Sequence, residues 1–253
     1  MRSFSQGNLQ LTKDFLSLLV SAAAVLALTG CPSVVQPDCQ TLSTVPSPVA
    51  SDGYVLHFVR SGEAAAGCDT QTPEEMSDVW VFNTVADSKV LAHSVSMPFP
   101  DVDILPPGLI GSGAFTNREA DADDFCYVSS LTTMSDSSSG TLLSYAARNM
   151  RWLGGSTYQG AEFESDVTVT VGSCSADYRI HALSPVVGCA DDSYCDPFKQ
   201  PFSSGIFSGF DQGCTSAPWT ASVTAYLRSI SDPYAYPWST GVCFLNKPFP
   251  SLK

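Results

Sequence analysis

Alternation of apolar and polar residues is the strongest pattern in the middle of the chain. From Phe163 to Val171 the odd-numbered residues are apolar or small, and the even-numbered residues are acidic or threonine. This period of two across Glu162–Gly172 predicts a strand with one buried and one solvent-facing surface. Ala176–Leu183 alternates in the same way soon afterwards, so we expect the two segments to form an antiparallel pair.

Shorter runs of β-branched and aromatic residues precede this pair. Gly53–Arg60 and Val79–Val85 are bounded by turn-forming residues and predict two further strands. Lys89–Ser96 follows Val85 after three residues, a spacing that predicts a hairpin.

Two segments carry a less regular pattern. Leu142–Leu153 fits either a half-buried strand or a short helix, whereas Ala221–Ser231 has helical spacing and follows Pro218. Together with 17 prolines and 18 glycines, these elements predict a mainly β protein. We expect an antiparallel β-sandwich or barrel-like domain, a disulfide-rich and loop-dominated C-terminal segment, and at most one or two short helices.

The N-terminal region has a different pattern. Arg2 and Lys13 precede an apolar run of 14 residues, Phe15–Leu28, which as a helix is about 21 Å long and too short to cross the hydrocarbon core. This order of charge, apolar core and small residues predicts a secretory signal. The segment Leu28-Thr29-Gly30-Cys31 resembles the lipobox of bacterial lipoproteins.

The resemblance implies cleavage by signal peptidase II before Cys31 and lipidation of that cysteine, with an acyl chain such as palmitate. An Asp after the cysteine favours retention in the inner membrane in such lipoproteins; here that residue is Pro32, which implies the outer membrane. Whether the protein faces the periplasm or the cell surface stays open. The alternative is an ordinary signal peptide that happens to contain a cysteine.

The remaining cysteines agree with export. They are even in number and contain no C-x-x-C spacing, so structural disulfides are predicted rather than a redox or zinc site. The pairing is open among 105 possibilities. The eight are Cys39, Cys68, Cys126, Cys174, Cys189, Cys195, Cys214 and Cys243.

These observations predict four regions. They are a signal peptide at 1–30, a lipidated Pro/Ser-rich tether at 31–51, an antiparallel β-domain at 52–185 and a cysteine-rich segment at 186–253 packed on that domain. The last segment resembles the small cysteine-rich modules of secreted proteins, a likeness that carries no function with it.

Charge limits the range of partners. The formal net charge of −13 repels nucleic acid and anionic headgroups, so we expect no nucleic-acid partner. The expected contacts are the membrane, through the N-terminal lipid, and an unidentified protein or glycan.

Candidate chemistry is sparse. The chain has three histidines and none of the familiar hydrolase, nucleotide or zinc-protease motifs, so no catalytic residue is assigned. No resident cofactor is predicted; calcium is the one ion considered, because acidic loops near a disulfide can supply its oxygen ligands. The calcium candidates are Glu119, Asp121, Asp123 and Asp124, and the candidate aromatic platform for a sugar or peptide is Trp219, Tyr234, Tyr236 and Trp238.

The sequence thus favours a non-enzymatic envelope lipoprotein that binds a ligand or a partner. Two alternatives stay open. One is an exported hydrolase that acts on polysaccharide or peptide through acidic residues, and the other is a purely structural envelope component.

Overall fold

A computed structural model describes residues 38–40, 50–51, 53–85, 89–94, 109–138, 140–154, 160–198, 204, 206–230 and 240–251. All of them belong to one compact unit, residues 36–253. The strands are β1 (Ala50–Ser51), β2 (Tyr54–Arg60), β3 (Glu75–Val85), β4 (Lys89–Ser94), β5 (Ile110–Ala114), β6 (Phe125–Ser130), β7 (Met134–Asp136), β8 (Leu143–Leu153), β9 (Glu162–Val171), β10 (Cys174–Leu183), β11 (Val186–Cys189), β12 (Gln212–Thr215) and β13 (Gly241–Leu245). The α-helix α1 is Ala221–Ile230, and short 3-10 helices span Asp192–Tyr194 and Pro218–Thr220.

Among the residues that the structure describes, nine strands form one antiparallel sheet that is nearly closed into a barrel. Their order is β5-β4-β3-β2-β10-β9-β8-β6, with β7 also paired to β8. The two ends of this order approach each other, because Phe115 bridges Val128 and the Thr116 amide donates to the Tyr127 carbonyl at 2.8 Å. The predicted mainly β fold is confirmed, and the architecture is the barrel-like one of the two expected.

Aromatic side chains fill the inside of the barrel. Rings from different strands pack edge to face, an arrangement that adds to the free energy gained by burying them; Phe82, for example, lies 5.3 Å from Tyr54 and 5.2 Å from Phe163 between ring centroids. The largest fully buried interior side chains are Tyr54, Phe58, Trp80, Phe82, Tyr145, Trp152, Phe163 and Tyr178.

A glycine permits the closure of the barrel. A Cβ atom on Gly113 would lie 2.8 Å from the Ser130 carbonyl oxygen and 2.9 Å from a Val128 methyl group. Strand β5 can therefore approach β6 only because this position has no side chain.

The strand predictions are confirmed where the structure describes them, with differences at the strand ends; the last two residues of the predicted Lys89–Ser96 strand lie outside the described residues. Strands β9 and β10 pair as expected, and so do β3 and β4, although β3 begins at Glu75 rather than Val79. The ambiguous segment is strand β8. A register shift lies between Arg148 and Arg151, with Asn149 at φ 53°, and this bulge breaks the period of two.

A second sheet is formed by three strands of the cysteine-rich segment together with β1, in the order β1-β11-β13-β12. This sheet, α1, the two 3-10 helices and the chain from β13 to Ser251 form what we call the cap. Its apolar side packs on the outer face of the barrel, where Val55, Val79 and Leu183 join the same buried cluster as Val187 and Phe210. The predicted helix at Ala221–Ser231 is confirmed as α1, apart from Ser231, which lies outside the described residues.

Four disulfides crosslink the eight described cysteines, as predicted. Two of them join parts of the cap, and two join segments to the barrel. The pairs are Cys39–Cys126, Cys68–Cys174, Cys189–Cys214 and Cys195–Cys243.

Candidate functional site: the seam between barrel and cap

Two histidines lie side by side where the cap meets the barrel. His57 of β2 is directly opposite His181 of β10 in the sheet register. Both rings point to the outer face, and each side chain keeps 19% of its surface exposed. We call the groups that meet at this junction the seam. Its barrel members are His57, Glu75, Ser77, Glu162 and His181, and its cap members are Trp219, Ser222 and Ser251.

His57 is held between a ring of the cap and a carboxylate of the barrel. Its imidazole stacks on the Trp219 indole with 4.0 Å between ring centroids, and Nε2 lies 3.4 Å from Oε2 of Glu75. Burial lowers the pKa of His57, the charge of Glu75 opposes this, and His181 lowers the pKa further. The net direction is downward, so the neutral imidazole is favoured at neutral pH.

His181 contacts a carboxylate that is completely buried. Its Nε2 is 2.6 Å from Oε1 of Glu162, whose exposed surface is zero. The same carboxylate accepts from the Ser251 backbone amide at 3.1 Å and from the Ser251 hydroxyl at 2.8 Å. Glu162 therefore fastens the last described residue of the cap to the barrel.

Serine hydroxyls fasten the helical part of the cap to β3. Ser77 Oγ donates to the Trp219 carbonyl oxygen and lies 2.7 Å from Ser222 Oγ. Ser222 in turn donates to the Ser77 carbonyl at 2.8 Å. The 3-10 helix Pro218–Thr220 and the start of α1 are thus fixed at the level of the histidine pair.

This arrangement differs from a nucleophilic site. Activation of a serine requires its hydroxyl to contact an imidazole base, whereas Ser251 donates to the Glu162 carboxylate that His181 also contacts. Within the described part of the chain, the one group of three potential metal ligands in reach of each other is Cys189, Cys195 and Cys243. These cysteines are in disulfides. The hydrogen bonds of the seam, from Ser251 to Glu162 and between Ser77 and Ser222, join the cap to the barrel.

A ladder of alternating charge covers the outer face of β8, β9 and β10. Arg179 contacts both Glu164 and Asp166 at 2.7 Å, and Arg148 contacts Asp177 at 3.3 Å. A hydrogen bond from Thr168 lowers the pKa of Asp177. Partial burial acts to raise the pKa of Asp166, but hydrogen bonds from Asn149 and Arg179 outweigh it and lower the pKa. The members of the ladder are Arg148, Arg151, Arg179, Glu164, Asp166 and Asp177.

The predicted calcium residues lie on the loop between β5 and β6. Asp121 uses its carboxylate locally: it accepts the Asp123 and Phe125 amides at 2.9 Å and the Tyr127 hydroxyl at 2.8 Å. Slight burial acts to raise the pKa of Asp121, but these hydrogen bonds lower it. Asp124 and Glu119 are exposed on the same loop, and these four residues are not gathered at ligand distances from one another.

The predicted aromatic platform is described only in part. Trp219 lies in the seam, stacked on His57 and 5.3 Å from the Phe244 ring. Tyr234, Tyr236 and Trp238 lie outside the described residues, and so does Cys31.

The residues that define the seam were not predicted as a site. Continued to Glu162, the period of two gives the same solvent-facing side as Glu164, whereas the structure buries Glu162 completely under Ser251. A usable signal was His57, a polar residue in the otherwise apolar run Tyr54–Val59. The position of its partners depends on how the cap folds back, and strand periodicity does not contain that information.

The fold and its crosslinks define a class: a disulfide-braced, nearly closed antiparallel barrel with a cysteine-rich cap, typical of exported proteins. The chain belongs to the family named MlpA, whose model matches residues 54–185. No curated protein and no solved structure matches the chain. In the part of the chain that the structure describes, no helix is long and apolar enough to cross a membrane.

Proposed function

We propose that this protein is an outer-membrane lipoprotein, anchored through lipid on Cys31, whose barrel and cap form a non-enzymatic module that binds a ligand or a partner. The lipid on Cys31 attaches the protein to the membrane. The partner is a protein or glycan rather than a nucleic acid, since the net charge is −13.

The pairing of the cysteines carries the proposal. The chain has nine cysteines, and eight of them are joined to one another in four disulfides. Cys31, the cysteine in the lipobox-like segment, is the ninth and takes part in none of these four pairs. Thioether lipidation uses a free thiol, which this pairing leaves available.

The ionisation of the carboxylates favours binding over hydrolysis. A general acid at neutral pH needs a raised pKa, whereas the pKa values of Asp121, Asp136, Asp166 and Asp177 are lowered. Hydrogen bonds and arginines stabilise their charged form. These groups suit a rigid, charged surface better than proton transfer.

The test is intact mass spectrometry of protein extracted from membranes, before and after reduction. The expected mass is that of residues 31–253 plus acyl chains, and reduction should add eight hydrogen atoms, two for each disulfide. An unmodified N-terminus on a membrane-extracted protein would overturn the anchor.

A pair of variants sharpens the test. Cys31→Ser should abolish acylation and leave the four disulfides intact. The double variant Cys68→Ala with Cys174→Ala should lose one disulfide and keep the lipid. Normal acylation of Cys31→Ser would contradict the proposal.

A further inference from the structure

The chain is fastened to the barrel shortly after Cys31. Asp38 receives two hydrogen bonds from the Arg118 guanidinium, at 3.0 and 3.3 Å, and pairs with Glu119 in an isolated bridge. Cys39 donates its amide to the Arg118 carbonyl at 2.7 Å and is joined to Cys126 by a disulfide. We call this attachment the clamp.

The clamp limits how far the barrel can lie from Cys31. Seven residue steps separate Cys31 from Asp38, and a chain of that length reaches at most about 25 Å. Without the clamp, the next described attachment is Ala50, which pairs with Val187. Nineteen steps separate Ala50 from Cys31, and the possible reach rises to about 65 Å.

The clamp lies at one end of the barrel. Strand β6 begins there at Phe125, and β8 ends opposite it at Leu153. At the other end are the turn between β9 and β10 and the disulfide from Cys68 to Cys174. Strand β9 has 10 residues, so the two ends are about 25 Å apart once the rise per residue and the strand tilt are combined.

We propose that the clamp end of the barrel faces the lipid surface and that the Cys39–Cys126 disulfide sets the height of the barrel above it. This inference rests on the lipid anchor at Cys31. The turn at Gly172 and the loop that holds Cys68 then point away from the membrane, where a partner can reach them.

Charge keeps the clamp end above the headgroups rather than among them. The loop next to Arg118 carries Glu119, Asp121, Asp123 and Asp124, and anionic lipids repel such a loop within about 8 Å at physiological ionic strength. The clamp end therefore faces the lipid surface without binding to it.

The experiment measures energy transfer to a lipid headgroup dye from a donor placed at either end. Acylated protein, verified by mass, is reconstituted in vesicles with the donor at Asn117, on the clamp loop, or at Ser173, in the distal turn. Both positions are exposed. Transfer should be stronger from Asn117; equal transfer, or stronger transfer from Ser173, would overturn the orientation.

Two insertions test the role of the clamp with every disulfide intact. A flexible insertion of about twenty residues between Val35 and Gln36 roughly doubles the root-mean-square tether length, from about 15 to about 29 Å, so transfer from Asn117 should fall. The same insertion between Thr44 and Val45 lies beyond the clamp and should leave transfer unchanged. In a Cys39→Ala, Cys126→Ala background, the second insertion should lower transfer as well.

The outcomes separate this inference from the proposed function. Protein without acyl chains would contradict the lipoprotein proposal itself. Acylated protein in which both insertions lower transfer equally, or in which neither does, would refute the clamp and leave the anchor standing. If the cysteine double variant fails to fold, the two insertions in the intact protein still decide.

Discussion

The barrel and the cap reach stable structures by different means. The barrel has long strands, 11 residues in β8 and 10 in β9, and the sheet surrounds a core of aromatic rings. The longest cap strand, β13, has five residues, and the cap core includes the disulfide cysteines Cys189, Cys195 and Cys243 themselves. A small sheet buries too little apolar surface to be stable by itself. Disulfides and polar contacts with the barrel supply the stability that a larger buried surface would give.

The barrel and the cap are therefore stabilised by different interactions. The barrel depends mainly on closure and on the packing of its core, and its two disulfides join peripheral segments to it. The cap depends on two disulfides and on the seam, where His57, His181 and Glu162 lie. Changes in redox conditions or pH should therefore affect the cap before the barrel.

The largest effect is expected from a cavity in the barrel core. Phe82→Ala removes a ring packed against Tyr54, Phe163 and Trp152, and should lower the free energy of unfolding by about 3–5 kcal/mol. Urea unfolding at pH 7 measures the loss. Phe198→Ala is the matched control: this ring is 74% exposed, so its removal should cost less than about 0.5 kcal/mol. Equal losses would mean that the aromatic interior does not dominate stability.

Loss of a cap disulfide should have a smaller and localised effect. The double variant Cys189→Ala with Cys214→Ala opens a loop closed over 25 residues, which corresponds to about 3.5 kcal/mol in the chain-entropy view. Hydrogen exchange read by mass spectrometry should rise in β12 and β13 and stay slow in β9 and β10 of the same molecule. A uniform rise in both regions would show that the cap and the barrel unfold as one unit.

The contact between Glu162 and Ser251 should rank third. Glu162→Gln replaces a buried carboxyl group that accepts from the Ser251 amide and hydroxyl, and should cost about 1.5–3 kcal/mol. Faster exchange is expected at Asn246 and at the Ser251 amide. Glu63→Gln, at an exposed position, serves as the control with no expected change. Unaltered hydrogen exchange at Ser251 would show that Glu162 does not hold the cap on the barrel.

The sequence predicted strands β2, β3, β4, β9 and β10 because these strands have local signals. Period-two alternation depends only on which face is buried, and Phe163 and Val167 are buried as expected. At Asn149 the bulge interrupts the period, so β8 was ambiguous between strand and helix. The choice between sandwich and barrel depends on the bridge between Phe115 and Val128, a contact between the two ends of the sheet that no local pattern encodes.

The seam could be predicted only in fragments. The run Tyr54–Val59 contains a histidine where its neighbours are apolar, but the ring that covers it, Trp219, is 162 residues away in the sequence. Burial of Glu162 depends on how the residues before Ser251 fold back over β9. Such contacts between distant segments follow from the packing of the cap, which the cysteine count indicated without giving the pairing.

The smallest effect, and the sharpest separation of cap from barrel, should come from mild acid. Because folding lowers the pKa of His57 from 6.5, the unfolded chain takes up a proton first as the pH falls below about 6.5. The stability associated with neutral His57 is present above that pH and is lost as the pH falls toward the lowered value. For Asp166 and Asp177 on the barrel, folding lowers the pKa from 3.8, so their contribution is lost only below about pH 3.8.

Between these two windows the cap should loosen while the charged ladder on the barrel stays intact. Hydrogen exchange at pH 5.0, corrected for the intrinsic rate, should be faster than at pH 7.5 in the segment from Pro218 to Ile230 and unchanged in β9. His57→Gln should remove this pH dependence, whereas His93→Gln, on β4 away from the seam, should preserve it. Retention of the full pH dependence in His57→Gln would assign it to another group of the seam. Loosening of β9 at the same pH would show that the barrel and the cap do not differ in their response to acid.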